Sequence, residues 1–151
     1  MSKFGLDSKL EELLSQKEWN KADEETLSVM RRVASQKEEG RLNVESIKNF
    51  PCIDICHIDK LWENYSSGKF GFSVQKNIYH NLGLTQEYDE EKWKAFCKQV
   101  GWDDAESKNL ERSFALSYSL SSVESGHLPY LPLRHYVAVR SLVQRLIECQ
   151  M

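Results

Sequence analysis

Two short stretches of this chain combine residue types that could recognise a ligand. The first, KFGFSVQ (residues 69–75), has Phe70 and Phe72 on either side of Gly71. In an extended stretch, residues i and i+2 point to the same side, so both rings could form one apolar face. Gly71 lacks a side chain and would let a flat ligand approach the backbone closely. The alternative is that the two rings only pack helices together in the core.

The second stretch, SGHLP (residues 125–129), contains His127. A histidine can ligate a metal ion or donate a hydrogen bond to a carboxylate. It can equally hydrogen-bond the backbone and fix a bend between a loop and a helix. Trp102, in the motif VGW, could stack on a ligand or fill the core, since tryptophan is often partly buried in either role. Both residues therefore have a binding and a structural interpretation.

Several cations lie close to these stretches in sequence. Arg134 and Arg140 follow SGHLP, and Lys69 begins KFGFSVQ. The guanidinium of arginine is a planar fork that suits a carboxylate. Lys69 could also pair with a carboxylate at the turn. The alternative for the two arginines is simple solvation on the surface of a last helix.

Other chemistry is not indicated. Cys52, Cys56 and His57 form C-x-x-x-C-H, which is neither zinc-finger nor haem-attachment spacing. The N-terminus lacks the features of a signal peptide, so we expect a cytoplasmic protein whose cysteines, including Cys97 and Cys149, are free thiols. No Ser/His/Asp order, P-loop or Rossmann glycine pattern occurs. The sequence therefore predicts a protein that is not an enzyme.

Composition sets the general class of protein. The chain has 151 residues, of which 40% are hydrophobic and 28% are charged, as is usual for one globular domain. The net charge of -3 argues against nucleic-acid binding, which usually needs a basic surface. No apolar run approaches the roughly 20 residues that span a bilayer.

The elements that must position these residues are helices. Apolar residues at spacings of three and four predict helices over residues 6–16, 22–35, 44–48, 51–65, 73–82, 89–100 and 133–149. Asn43 and Ser73 are candidate N-caps. Between residues 101 and 125 the helical pattern weakens. We therefore predict a single compact all-α domain of about six to seven helices, with a long irregular loop before the C-terminal helix. Loops of this length are often functional.

Five motifs in order, FPC, IDKLW, KFGFSVQ, VGW and GHLP, resemble the genomes-uncoupled tetrapyrrole-binding family, the porphyrin-binding partners of magnesium chelatase. The resemblance begins near Trp19 (EWNKADEET) and continues to about Pro129. It implies a tetrapyrrole-binding domain over residues 19–151, preceded by an N-terminal helical extension over residues 1–18. It also implies a non-enzymatic protein that binds protoporphyrin IX or magnesium-protoporphyrin IX and could stimulate magnesium chelatase through its large porphyrin-binding subunit.

The resemblance also implies which residues bind the ligand. A porphyrin is a flat apolar disc with two propionates at one edge, so it needs apolar faces and a rim of cations. The family's cleft lies beside the GHLP hinge, and porphyrin binding there does not depend on a bond from protein to metal. The implied site residues are Lys69, Phe70, Phe72, Trp102, His127, Leu128, Arg134 and Arg140.

The chain departs from the family directly after VGW. Asp103, Asp104 and Glu106 are acidic, whereas the family more often has basic and aromatic residues there. An acidic rim would repel propionates. The alternative function is therefore that of a divergent paralogue, either a protein-interaction or sensor module or a protein that binds a linear bilin. No cysteine for bilin attachment occurs in KFGFSVQ or in the long loop.

Overall fold

A computed structural model describes residues 7–34, 42–102 and 123–151 of the chain. These residues contain seven helices and no strand, so the all-α prediction is confirmed. The helices are α1 (Asp7–Ser15), α2 (Trp19–Ala34), α3 (Val44–Lys48), α4 (Cys52–Tyr65), α5 (Phe72–Asn81), α6 (Glu90–Val100) and α7 (Tyr136–Glu148). Most of the predicted long loop, with its three acids, lies outside the described residues. Among the helices described, none combines the length and the apolarity that crossing a membrane requires.

Two helix starts differ from the prediction. Helix α2 begins at Trp19 rather than at residue 22, because a tight turn with Lys17 at φ 60° ends α1 and lets Trp19 enter the core. Helix α7 begins at Tyr136 rather than at residue 133, because Arg134 adopts φ 64° and cannot continue a right-handed helix. The predicted cap of α3 is confirmed: the Asn43 side chain accepts a hydrogen bond from the amide of Ser46 at 2.8 Å.

The core is organised around Trp62 of α4. Its ring stacks on Trp19 with 6.3 Å between ring centroids, and Phe70 meets both indoles edge-on at 5.5 and 6.0 Å. The buried Trp62 Nε1 donates to the Thr26 hydroxyl oxygen at 2.9 Å, and that hydroxyl donates to the carbonyl of Ala22 at 2.8 Å. The only polar atom of the indole is thereby satisfied in the core, as buried donors require.

Helix α5 is capped by a residue of another helix. Ser73 does not serve as the N-cap that the sequence predicted; Gly71 takes that position, with φ 132° and no side-chain cap. Instead, Asp59 Oδ1 of α4 accepts from the amide of Ser73 at 2.9 Å and from its hydroxyl at 3.2 Å. A Cβ at Gly71 would lie 2.9 Å from the same Asp59 oxygen. The glycine therefore lets α4 and α5 come together, rather than opening the backbone to a ligand.

The expectation that all cysteines are free thiols is wrong for two of them. A disulfide joins Cys52, the first residue of α4, to Cys149, which directly follows α7. Neither Cys56 nor Cys97 takes part in a disulfide. The two cysteines are 97 residues apart in sequence. Their pairing could not be read from the sequence, because it depends on the end of α7 lying beside the start of α4. Arg145 strengthens the same junction by donating from Nε to the carbonyl of Phe50 at 2.7 Å.

We predict that Thr26→Val lowers the free energy of unfolding by about 1–3 kcal/mol, because it leaves the buried Trp62 Nε1 without an acceptor. Thr26→Ser is the matched control, since it keeps the hydroxyl and loses only a methyl group. Urea unfolding followed by tryptophan fluorescence measures both. Equal losses in the two variants would contradict the hydrogen-bond explanation.

We also predict that a dithiol reductant lowers the free energy of unfolding by about 2–4 kcal/mol, because the disulfide closes a long loop and restricts the unfolded chain. Unfolding with and without reductant measures the effect. The double variant Cys52→Ala/Cys149→Ala should be equally stable under both conditions. A wild-type protein that is indifferent to the reductant would show that the disulfide does not form in solution.

Candidate functional site

Residues 126–129 of GHLP are joined to helix α5 by one buried side chain. Gln75 is 1% exposed and donates from Nε2 to the carbonyls of Gly126 at 3.0 Å and Pro129 at 2.8 Å. The backbone amide of Gly71 donates to the carbonyl of Leu128 at 3.0 Å. The motifs KFGFSVQ and GHLP, which are far apart in sequence, therefore form one structural unit.

Trp102 and His127 complete this unit from the side of α6. Trp102 Nε1 donates to the carbonyl of His127 at 2.8 Å. Nδ1 of His127 lies 2.7 Å from the carbonyl of Val100, which can only accept, so this nitrogen carries the proton. Burial lowers the pKa of His127, so the ring is neutral near pH 7. The histidine thus fixes the 126–129 segment against the end of α6.

Three of the predicted apolar contacts lie inside the protein. Phe70 and Phe72 are fully buried, and Leu128 is 2% exposed. Phe72 is the first residue of α5, so the two rings do not share an extended stretch. Neither phenylalanine presents a face to solvent in this structure. Phe70 instead packs against Trp19 of α2 and Trp62 of α4.

A row of aromatic rings leads from this unit toward α7. Trp102 meets Tyr130 edge-on at 5.1 Å and Phe96 at 5.7 Å between ring centroids. Phe96 stacks on Trp93 at 5.2 Å, and Trp93 meets Tyr136 at 5.3 Å. Trp102 is only 3% exposed, whereas Tyr130, Trp93 and Tyr136 are half-buried. This aromatic row therefore reaches the surface at both of its ends.

The predicted cations lie at different places along this surface. Arg134 is exposed, and its amide donates to the carbonyl of Tyr130 at 3.1 Å, so it directly adjoins one end of the aromatic row. It forms no ion pair with the residues that the structure describes. The guanidinium of Arg140 lies 5.6 Å from the ring centroid of Tyr136, at the other end of the row. Lys69 is half-buried beside the 126–129 segment.

Asp23 of α2 holds the turn that carries Arg134. Its carboxylate is 5% exposed and accepts from the amide of Tyr130 at 2.9 Å and from that of Leu131 at 3.2 Å. Burial raises the pKa of Asp23 to about 7, although these two hydrogen bonds and the nearby charge of Arg134 act to lower it. An ionisable group this deeply buried beside an exposed arginine marks a candidate functional position.

Sequence reasoning missed both Asp23 and Gln75. Asp23 belongs to a run of three acids, which is typical of a solvated first turn. The available signal was its position on the apolar face of α2, between the buried residues Ala22 and Thr26. The signal for Gln75 was of the same kind, because Gln75 lies on the helical face of α5 that also carries Phe72 and Ile78. A polar residue on a buried helical face needs a partner, and here the partners are backbone groups of the hinge.

No metal centre is evident in the described part of the chain, where no three histidine, cysteine or acidic side chains cluster closely enough to hold an ion. Cys52 is engaged in the disulfide, so its thiolate is not available as a ligand beside His57. What the described residues offer here is aromatic faces and an exposed guanidinium.

Comparison with known proteins establishes the family. A family model described as GUN4-like matches residues 5–145, which is most of the chain. The chain belongs to the GUN4-like family.

Individual relatives agree with this assignment. Uncharacterized protein ycf53 of Cyanidium caldarium is 32% identical over 125 residues, covering 80% of this chain and 48% of that protein. The chloroplastic tetrapyrrole-binding protein of Arabidopsis thaliana is 32% identical over 72 residues, covering 46% of this chain and 27% of that protein. The chain thus spans about half or less of the length of the curated relatives it matches.

The fold itself matches a solved structure. The ligand-free structure of Arabidopsis thaliana GUN4 superposes with a TM-score of 0.71 at 22% identity, covering 95% of this chain and 94% of that one. At this identity the likeness demonstrates the shared helical fold.

We predict that Gly126→Ala destabilises the protein more than Gly68→Ala does, by about 1–3 kcal/mol. Both glycines have nearly the same φ, 79° and 81°, so the backbone cost of a side chain is matched. A Cβ at Gly126 would lie 2.8 Å from Ile78 Cδ1 and 3.1 Å from Val100 Cγ1, whereas one at Gly68 would meet nothing within 4 Å.

Urea unfolding of both variants gives the difference directly, with Gly68→Ala as the control for backbone conformation. Equal destabilisation would mean that the 126–129 segment is not held tightly against α5 and α6.

Proposed function

We propose that this protein binds a porphyrin, protoporphyrin IX or its magnesium form, and does not catalyse a reaction. The observation that carries the proposal is the junction of Tyr130, Trp102 and Arg134. The ring of Tyr130 is half-buried and is backed by the buried indole of Trp102. Arg134 lies in the same turn as Tyr130, is exposed, and forms no ion pair with the described residues. Membership of the GUN4-like family and the name of the Arabidopsis relative support the same ligand class.

The roles of the site residues follow from their burial. Tyr130 offers a ring to the macrocycle, and Trp102 supports that ring from behind. Arg134 pairs with a propionate, since guanidinium–carboxylate pairs are strong and directional. Lys69 and Arg140 are secondary candidates for the second propionate. Lys69 contacts Gly126 of the 126–129 segment, and the guanidinium of Arg140 lies near the ring of Tyr136.

The buried members of the predicted site act through packing. Phe70, Phe72 and Leu128 form the support on which the binding surface rests, and none needs to touch the ligand. His127 also has a structural role, because its Nδ1 is committed to the carbonyl of Val100. A bond from this ring to a central metal is therefore not part of the proposal.

The biological role that we propose is delivery of the porphyrin to magnesium chelatase, or stimulation of that enzyme, in chlorophyll biosynthesis. The partner would be the large porphyrin-binding subunit. This step is supported by the five sequence motifs, which resemble those of the porphyrin-binding partners of magnesium chelatase. A chelatase assay with and without this protein tests it once ligand binding has been measured.

We predict saturable one-to-one binding of protoporphyrin and magnesium-protoporphyrin, measured by the shift of the Soret band and by quenching of tryptophan fluorescence. Arg134→Gln should weaken binding by roughly ten- to a hundredfold, the value of a hydrogen bond to a charged group. Arg31→Gln is the control, because it removes an equal charge from an exposed position on α2.

Comparison with Arg140→Gln distinguishes the two arginines. Substitution of an arginine that pairs with a propionate should reduce the affinity strongly, whereas substitution of one that does not should have little effect. If no variant changes the affinity, the site assignment is wrong although porphyrin binding stands. If the wild-type protein does not bind either porphyrin, the alternative of a protein-interaction or sensor module is favoured.

A further inference from the structure

We infer that Asp23 is a positioning residue of the porphyrin site, which holds the turn carrying Arg134 and takes up a proton when an anionic tetrapyrrole binds there. The inference rests on the proposed porphyrin binding and adds to it a residue from a different helix and a dependence on pH.

Asp23 and Arg134 lie at opposite ends of one short turn, residues 130–134. Asp23 contacts the start of the turn, and Arg134 is its last residue. The amides of Leu133 and Arg134 both donate to the carbonyl of Tyr130, at 2.9 and 3.1 Å. The amides at the start of this turn, those of Tyr130 and Leu131, both point at the Asp23 carboxylate. Asp23 therefore caps the turn in the way that an N-cap residue caps a helix, although it comes from α2.

Asp23 is a fixed point for this turn. The residues that flank it on the buried face of α2 are held in the core, Trp19 against Trp62 and Thr26 by the hydrogen bond from Trp62 Nε1. The carboxylate is therefore presented from a rigid helix, while the turn depends on it. Without this anchor, the amides of Tyr130 and Leu131 would lose their acceptor.

The charges that act on the Asp23 carboxylate come from two sides. From the 130–134 turn, Arg134 stabilises the ionised form, and from α2, Glu24 opposes it. Both effects are smaller than the effect of burial, which disfavours the ionised form. The neighbouring hinge contributes His127, which burial keeps neutral near pH 7 and which titrates below its ordinary range.

Two other acidic side chains, one on α1 and one on α2, are engaged elsewhere. Glu25 of α2 forms an ion pair of 2.9 Å with Arg32 and a longer one with Lys9 of α1. Glu11 of α1 accepts a hydrogen bond from the hydroxyl of Tyr65 at 2.6 Å. Arg134 is the cation whose charge acts on Asp23, so its exposed guanidinium couples Asp23 to a ligand.

The sign of the pH dependence follows from this coupling. The pKa of Asp23 is about 7, so near neutral pH the carboxyl is partly protonated in the free protein. A propionate at Arg134 adds a negative charge nearby and competes for the same guanidinium, which raises this pKa further. Binding then favours the protonated form, so by linkage the affinity rises as the pH falls through the pKa of Asp23.

The experiment compares porphyrin affinity at different pH values in three proteins. Wild-type protein should bind roughly three- to tenfold more tightly at about pH 6 than at about pH 8, a range in which propionates stay ionised. Asp23→Asn keeps an acceptor for both amides and cannot ionise, so its affinity should be nearly the same at both values. Glu24→Gln removes one exposed charge from the adjacent position and should retain the pH dependence, with its midpoint moved slightly to lower pH.

A second measurement needs no variant and guards against misfolding of Asp23→Asn. Calorimetry of porphyrin binding to the wild-type protein near neutral pH, in two buffers of different ionisation enthalpy, reports the protons exchanged. Fractional proton uptake on binding is the expected result. Zero uptake, or proton release, would overturn the inference.

The outcomes separate this inference from the function on which it rests. Saturable binding with the same pH profile in the wild type and in folded Asp23→Asn would overturn the role of Asp23 and leave porphyrin binding intact. Absence of binding at every pH would overturn the proposed function and this inference together. A pH profile that disappears in Asp23→Asn and persists in Glu24→Gln supports both.

Discussion

The 126–129 segment is buried, and each of its four carbonyl oxygens must find a donor within the protein. The donors come from separate parts of the chain: the side chain of Gln75, the amide of Gly71 and the indole of Trp102. A buried carbonyl without a donor costs more than the hydrogen bond itself contributes, so the loss of any one of these donors is destabilising. This requirement explains why KFGFSVQ, VGW and GHLP occur in one protein. KFGFSVQ and VGW supply the donors, and GHLP supplies the carbonyl acceptors.

The same requirement gives the proposed binding surface its shape. Because the hinge is fixed against α5 and α6, the turn that follows it is held in place, and Asp23 secures that turn from the opposite side. Tyr130 and Arg134 are thereby presented together at the surface, while the residues behind them are fully packed. A surface prepared in this way loses little conformational freedom when a rigid, flat ligand binds, which favours affinity.

Much of the fold could be predicted from local patterns, whereas the site could be predicted only in its residue types. Helical periodicity and the Asn43 cap depend on neighbours in sequence, and both predictions are confirmed. The cap of α5 could not be predicted, because Asp59 of another helix provides it. The sequence indicated aromatic rings and arginines near the hinge. It could not show that Phe70 and Phe72 face inward, because exposure depends on which helices meet.

The disulfide has a topological consequence for the whole molecule. Cys52 and Cys149 close a covalent ring that contains α4 to α7, and with them KFGFSVQ, VGW and GHLP. Cleavage of any single peptide bond inside this ring opens it into a branched chain and releases no fragment. The hinge, the 130–134 turn and the helices that support them would therefore stay joined after one proteolytic cut. After a single cut, reduction of the disulfide would remove the covalent link between the two pieces.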